Sequence, residues 1–179
     1  MQLQTERLII RRFVPEDGQG LFDYISDEEV VRYEPYPPPT LEECRQWAKD
    51  RAKSESFWAV CLRESGALIG NLYLAKREQE GWELGYVFGR THWGNGYATE
   101  AAKALLDWLF AQHKAHRIIA MCNPLNRPSW RLMERLGMRR EGHLIKNVAF
   151  HNDVHGKPLW QDTYLYAILR EEWRADDKN

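Results

Sequence analysis

Residues 82 to 112 constrain this chain more than any other stretch, because they specify a strand, a glycine-rich turn and a helix in immediate succession. Trp82-Glu83-Leu84-Gly85-Tyr86-Val87-Phe88 is short, aromatic and bounded by Gly81 and Gly89, as a strand should be. From near Ala98, the residues Ala101, Ala102, Leu105, Trp108 and Leu109 fall on one helical face. Glu100, Lys103 and Asp107 fall on the other, a period of about 3.6. Between the two elements, Gly94 and Gly96 let the backbone turn sharply and approach a ligand with no Cβ in the way. The first amides of such a helix lack intrahelical partners and sit at its positive end, which predicts an anion site for phosphate or pyrophosphate. The competing reading is a tight connection and nothing more. A dinucleotide fingerprint is excluded, because Thr99 stands where a third small residue belongs and Arg117-Ile118-Ile119-Ala120 supplies no acid. A Walker loop is excluded too, since no Gly-Lys-Ser/Thr follows.

Trp93-Gly94-Asn95-Gly96-Tyr97-Ala98-Thr99-Glu100-Ala101 resembles the pyrophosphate loop of the GNAT superfamily of acyl-CoA N-acyltransferases, Gln/Arg-x-x-Gly-x-Gly/Ala. Trp93 takes the Gln/Arg position, Gly96 the invariant glycine and Ala98 the last small residue. The wording is similar to the RimJ/RimL-type branch, which acetylates protein N-termini and some small amines; the Thr5 to Arg12 opening resembles that branch as well. The resemblance implies a single-domain mixed α/β fold, a mostly antiparallel twisted sheet flanked by helices. It also implies acetyl-CoA as co-substrate, held by Trp93, Gly94, Asn95, Gly96, Tyr97, Ala98 and Thr99.

Taken in order, Leu8 to Phe13 reads as the first strand, and Pro15 opens a helix to about Ile25 with Glu16 and Asp17 in its first turn. Ser26-Asp27-Glu28-Glu29 offers a capping box, and Thr40-Leu41-Glu42-Glu43 a better one for a helix to about Lys53. Between them, four prolines in Glu34–Pro39 forbid regular structure. That loop either lines a substrate pocket, as in the resembled family, or stiffens a corner. Phe57–Leu62 and Ala67–Leu74 read as an antiparallel pair, and Arg117–Cys122 as a buried strand. Asn126 or Ser129 starts a helix ending at Gly137, a C′ glycine. Met138 to about Phe150 and Thr163–Leu169 close the sheet around a polar, exposed loop, 152–158. These elements place one domain over 1–170 and a charged, fraying tail over 171–179.

Composition narrows the partners. A net charge of −1 gives no global field toward nucleic acid or an anionic membrane. No run approaches the roughly 18 apolar residues of a membrane span, and Met1–Arg7 lacks the basic n-region and apolar run of a signal peptide, so none is expected. Cys44, Cys61 and Cys122 are widely spaced without a CxxC pair, which fits a reducing cytoplasm and argues against disulfides and zinc. The six histidines show no metal spacing, so no metal is expected. The family often forms dimers, so a homodimer is a candidate state.

Acyl transfer to an amine needs a held thioester, a neutral amine, a donor for the developing oxyanion and an acid for the leaving thiolate. At pH 7 an α-amine with pKa about 8 is roughly a tenth neutral, and a lysine with pKa about 10.4 far less. Glu83 matches the Glu of the family's Glu-Ile/Leu-Gly-Tyr stretch and is the candidate base; the alternative is a carboxylate facing solvent or paired with a cation. A backbone N–H at Val87 or Phe88 is the candidate oxyanion donor, while Tyr86 packs in the core or lines the acceptor pocket. Asn123-Pro124-Leu125-Asn126-Arg127-Pro128-Ser129, followed by Leu136-Gly137-Met138, resembles the second CoA-binding segment. There Asn126 would bond the pantetheine arm, and Ser129 would sit near the sulfur and help protonate it. Both are also ordinary N-cap residues. Many family members carry a Tyr acid four residues before this glycine; here the position is Met133. The reading is therefore an acetyl-CoA-dependent N-acetyltransferase acting on a peptide N-terminus or small amine by direct attack. Its rivals are a non-catalytic acyl-CoA sensor and a transferase of longer acyl groups.

Overall fold

A computed structural model describes residues 2–176 of the protein. Eight strands form one sheet, β1 (Gln2–Gln4), β2 (Leu8–Arg12), β3 (Phe57–Leu62), β4 (Leu68–Lys76), β5 (Gly81–Phe88), β6 (Arg117–Cys122), β7 (Arg139–Val148) and β8 (Gln161–Leu169). Their spatial order is β1-β2-β3-β4-β5-β6-β8-β7, antiparallel throughout except for β5 and β6. Parallel neighbours need a crossover, and the helix α4 (Tyr97–Gln112) supplies it.

The two sheet faces bury different helices. Along β3, Trp58 and Val60 join the core under α4, with Leu105, Leu106 and Leu109. Ala59, between them, faces the opposite core beneath α1 (Gly18–Ile25), α2 (Glu28–Val31) and α3 (Leu41–Lys53). A period of two explains the split. The remaining helices are α5 (Arg127–Arg135) and α6 (Arg170–Asp176).

Local chemistry sets the helix ends. Thr40 and Glu43 form the expected capping box on α3. On α2 the cap is Asp27, whose side chain accepts from the Glu29 amide; Ser26 instead ends α1. Gly137, at φ 74°, closes α5 with amides of Gly137 and Met138 bonded back to Glu134 and Met133, a Schellman motif.

Three expectations need correction. β1 pairs with β2 although Gln2-Leu3-Gln4 carries no strand signal; backbone pairing along a sheet edge needs none. β7 stops at Val148, two residues before Phe150. The charged segment from Glu171 does not fray: it is helical to Asp176, and Trp173 is buried against Phe110 with its indole N–H donating to Asp107, 2.8 Å. Residues 177–179 of that predicted tail lie outside the described residues.

One contact fixes how closely β4 and β5 approach. Gly70 on β4 stands opposite Phe88 on β5, and a Cβ there would lie 2.6 Å from both the Phe88 ring and the Val87 carbonyl oxygen. The backbone oxygen cannot move aside cheaply, so overpacking should cost about 2–3 kcal/mol. Gly70→Ala is therefore expected to lower the melting temperature by roughly 5–10 °C, read by thermal unfolding. An unchanged midpoint would show that β4 and β5 are free to separate.

Candidate active site

The parallel register of β5 and β6 runs from Gly81–Arg117 to Leu84–Ala120 and stops there, although β5 continues to Phe88 and β6 to Cys122. The strands therefore splay, leaving one edge of Gly85–Phe88 unpaired. On the other edge the Gly89 amide donates to Ile69, 2.9 Å, and hydrogen-bonded pairs alternate from that point. Val87 and Gly85 thus bond into β4, while the N–H groups of Tyr86 and Phe88 face the gap. Of the two residues expected to offer an oxyanion donor, only Phe88 presents its amide there.

At the end of the gap lies the glycine loop. Gly94 and Gly96 take φ of 77° and 79°, a region that side chains disfavour. Nothing within 4 Å meets a Cβ placed at Gly94, and only the Arg7 guanidinium, at 3.5 Å, meets one at Gly96. Gly96 caps α4 without a side chain, and among the described residues the amides of Tyr97, Ala98 and Thr99 find no acceptor. The helix start is thus an open ring of donors, as an anion cradle requires. Trp93 donates its indole N–H to the Phe88 carbonyl, 2.7 Å, which fastens the loop to the strand. Asn95 is turned outward, its side-chain amide donating to the Trp93 carbonyl, 3.2 Å. Thr99 accepts from Arg135 of α5, 3.3 Å.

Arg7 completes this rim, and motif reading had passed over it. Its guanidinium lies 4.6 Å from the Tyr97 ring centre, donates to the Asn95 carbonyl at 2.9 Å and pairs with Glu100 at 2.6 Å. Burial alone would raise the Glu100 pKa, but hydrogen bonds from Thr5 and Arg7 outweigh it and hold the carboxylate below its ordinary value.

Alternation along β5 separates the chemical groups. Leu84, Tyr86 and Phe88 point into the α4 core, and Val87 packs in the opposite one. Glu83 shares the face of Val87. Its carboxylate, 17% exposed, is ion-paired with Arg77. Ser129 is on the other side: buried at the start of α5, it meets the Tyr86 hydroxyl at 2.9 Å, and that hydroxyl also donates to the Ser129 carbonyl. Burial pushes the Tyr86 phenol well above its usual range, so it stays protonated. Asn126 is spent as the N-cap, accepting from the Ser129 amide at 3.3 Å. Glu83 and Ser129 are therefore not neighbours; they flank the splay from opposite faces. Met133 is core, 1% exposed.

On the Glu83 face, the proline-rich loop folds over the sheet. Tyr36 from that loop lines a cavity with Trp47, Asp50, Arg51 and Phe57. Phe57 packs at a tilt against Tyr73, 5.1 Å between centroids, on the strand next to Glu83. At the loop's start the Glu34 backbone amide donates to the Val31 carbonyl, 2.8 Å, while its side chain carries no hydrogen bond or ion pair among the described residues. Burial pushes its pKa up to about 7, with the Arg51 charge opposing. Sequence reading treated this glutamate as loop; its only signal is an acid beside four prolines and a tyrosine.

A family model described as "Acetyltransferase (GNAT) domain" matches residues 7–139. The chain belongs to the GNAT acetyltransferase family. This acetyltransferase is 39% identical over 175 residues to the uncharacterized N-acetyltransferase YnaD of Bacillus subtilis (strain 168), covering 97% of this chain and 99% of that one. A crystal structure of a GNAT-family acetyltransferase from Bacillus anthracis superposes with a TM-score of 0.87 at 39% identity, over 96% of this chain and 99% of the other. The [ribosomal protein uS5]-alanine N-acetyltransferase of Escherichia coli (strain K12) is 25% identical over 186 residues, 97% and 93% of the two chains. That relative agrees with the RimJ/RimL-type resemblance of the glycine loop, and the mixed, mostly antiparallel sheet agrees with the expected fold.

Proposed function

We propose that this acetyltransferase moves an acetyl group from acetyl-CoA to a primary amine by direct attack, with donor and acceptor entering from opposite faces of the β5–β6 gap. The observation that carries this reading is the open gap itself, ending on the bare amides of Tyr97, Ala98 and Thr99. Acetyl-CoA would supply an activated thioester. The amides of the Gly94–Thr99 loop, with the Arg7 charge beside them, are suited to hold its diphosphate. The Phe88 N–H is placed to donate to negative charge developing on the acyl oxygen. Glu83 or Glu34, on the acceptor face, takes the amine's proton. Ser129, backed by the protonated Tyr86 hydroxyl, gives one to the departing sulfur; the phenol reaches from β5 the role that Met133 cannot fill.

No covalent enzyme intermediate is needed. Cys122 lies nearest this chemistry, and burial pushes its thiol up to about 11, far from a ready nucleophile. The acceptor sits in the Tyr36–Phe57 cavity, and a peptide α-amine, such as the uS5-modifying relative uses, is an acceptor of this class.

An acetyl-transfer screen over peptide and small-molecule amines, read by product mass, tests the reading. Turnover of acetyl-CoA that depends on an added amine is expected, faster than with propionyl- or succinyl-CoA. Tight CoA binding without transfer to any amine would make the protein a sensor instead.

A further inference from the structure

A second concentration of positive charge lies on α5 and the β7–β8 hairpin, away from the glycine loop. There a cleft of about 590 Å³ is lined by Arg127 and Arg131 from α5 and Arg140 from β7. Among the described residues none of the three forms an ion pair, whereas their neighbour Arg139 pairs with both Glu141 and Glu172. The cleft contains one carboxylate, Glu134, which accepts from the Tyr166 hydroxyl at 3.1 Å. Three cations thus face one acid in a protein whose net charge is −1.

Two of the guanidinium groups lie near aromatic rings. Arg140 lies 4.5 Å from the Tyr164 ring centre and Arg131 5.5 Å from that of Trp130. At 4.5 Å the Tyr164 ring steadies the Arg140 fork and leaves its N–H edges free for oxyanions. The cleft thus offers positive charge and N–H donors to an anion. Its volume suits a small ligand.

The cleft is also set apart from the coenzyme side of α5. That side is marked by Arg135 bonded to Thr99 and by Ser129 bonded to Tyr86, and no residue of the loop 93–99 lines the cleft. We propose that the cleft between α5 and the β7–β8 hairpin is a second anion site that takes a compact phosphate-bearing ligand while coenzyme A is bound elsewhere. Because Arg127 and Arg131 flank Ser129 on one helix, the ligand grips the element that presents the candidate acid.

The inference uses the coenzyme assignment above only to exclude that ligand. Calorimetric titration of inorganic pyrophosphate into the full chain saturated with CoA tests it. Binding is expected to persist in CoA, to weaken with salt, and to fall at least about 10-fold in Arg140→Gln and in Arg131→Gln. CoA affinity should be unchanged in both variants. Displacement of pyrophosphate by CoA, absence of binding, or parental binding by Arg140→Gln would each overturn the proposal. If the parent does not bind CoA, the coenzyme assignment fails by itself. Pyrophosphate titrated into Gly96→Val and into Gly96→Val with Arg140→Gln then still decides the cleft.

Discussion

Gly96→Val is expected to weaken coenzyme A binding by at least about 100-fold, about 2.7 kcal/mol, while the protein stays folded. Two effects combine. Gly96 sits at φ 79°, where an L-residue costs roughly 1–2 kcal/mol and a β-branched one is worse placed still. The valine methyls would also project into the space over the first amides of α4, where the nearest atom is now the Arg7 guanidinium. Gly96→Ala carries the backbone strain with less bulk, so it should lose a smaller part of the affinity. Calorimetry with CoA and a thermal melt on both variants separate strain from obstruction. Parental affinity in Gly96→Val would remove the loop from the binding site.

Glu83→Gln is expected to lower kcat by about 100-fold or more, within the usual contribution of a positioned base, with little change in CoA affinity. The deficit should shrink at high pH, where the amine loses its proton unaided. Glu34 gives this test its counterpart. Its carboxyl is pushed up to about 7, so it is mostly neutral below that pH and able to accept a proton above it. If Glu34 is the base, kcat rises with pH through about 7, and Glu34→Gln removes that limb. If Glu83 is the base, Glu34→Gln leaves the limb in place. The stability effect of Glu34 has the opposite sign. The folded state retains a proton between the ordinary value of 4.5 and about 7 that the unfolded chain has released, so its contribution to stability falls as pH rises across that window.

Local rules made much of the frame legible. Thr40 with Glu43, Asn126 ahead of Ser129 and Gly137 after α5 are short-range signals, and each helix end stands where they put it. The strand before the glycine loop was readable for the same reason. Long-range geometry was not. Nothing in Glu83-Leu84-Gly85-Tyr86 tells which residue faces α4 until both sheet faces have packed. Thus the Tyr86 hydroxyl, reaching across 43 residues to Ser129, was read as core or pocket wall. Arg77 and Glu83 meet only because the β4–β5 hairpin folds back. Glu34 gains its raised pKa from burial in the folded chain, which four prolines and a tyrosine do not announce. Trp173 looked like part of a charged tail because its partners, Phe110 and Asp107, lie on α4 more than sixty residues earlier.

The polar flank of α4 has a further effect. Glu100 grips Thr5 and Arg7, while Asp107 receives Trp173, so a single crossover helix moors both the β1–β2 turn and α6. A change in the β1–β2 turn would ordinarily be harmless; here Arg7 is also a neighbour of the glycine loop. Loosening of that turn and loss of donor-substrate affinity should consequently be one event, felt at the catalytic mouth before the sheet itself gives way.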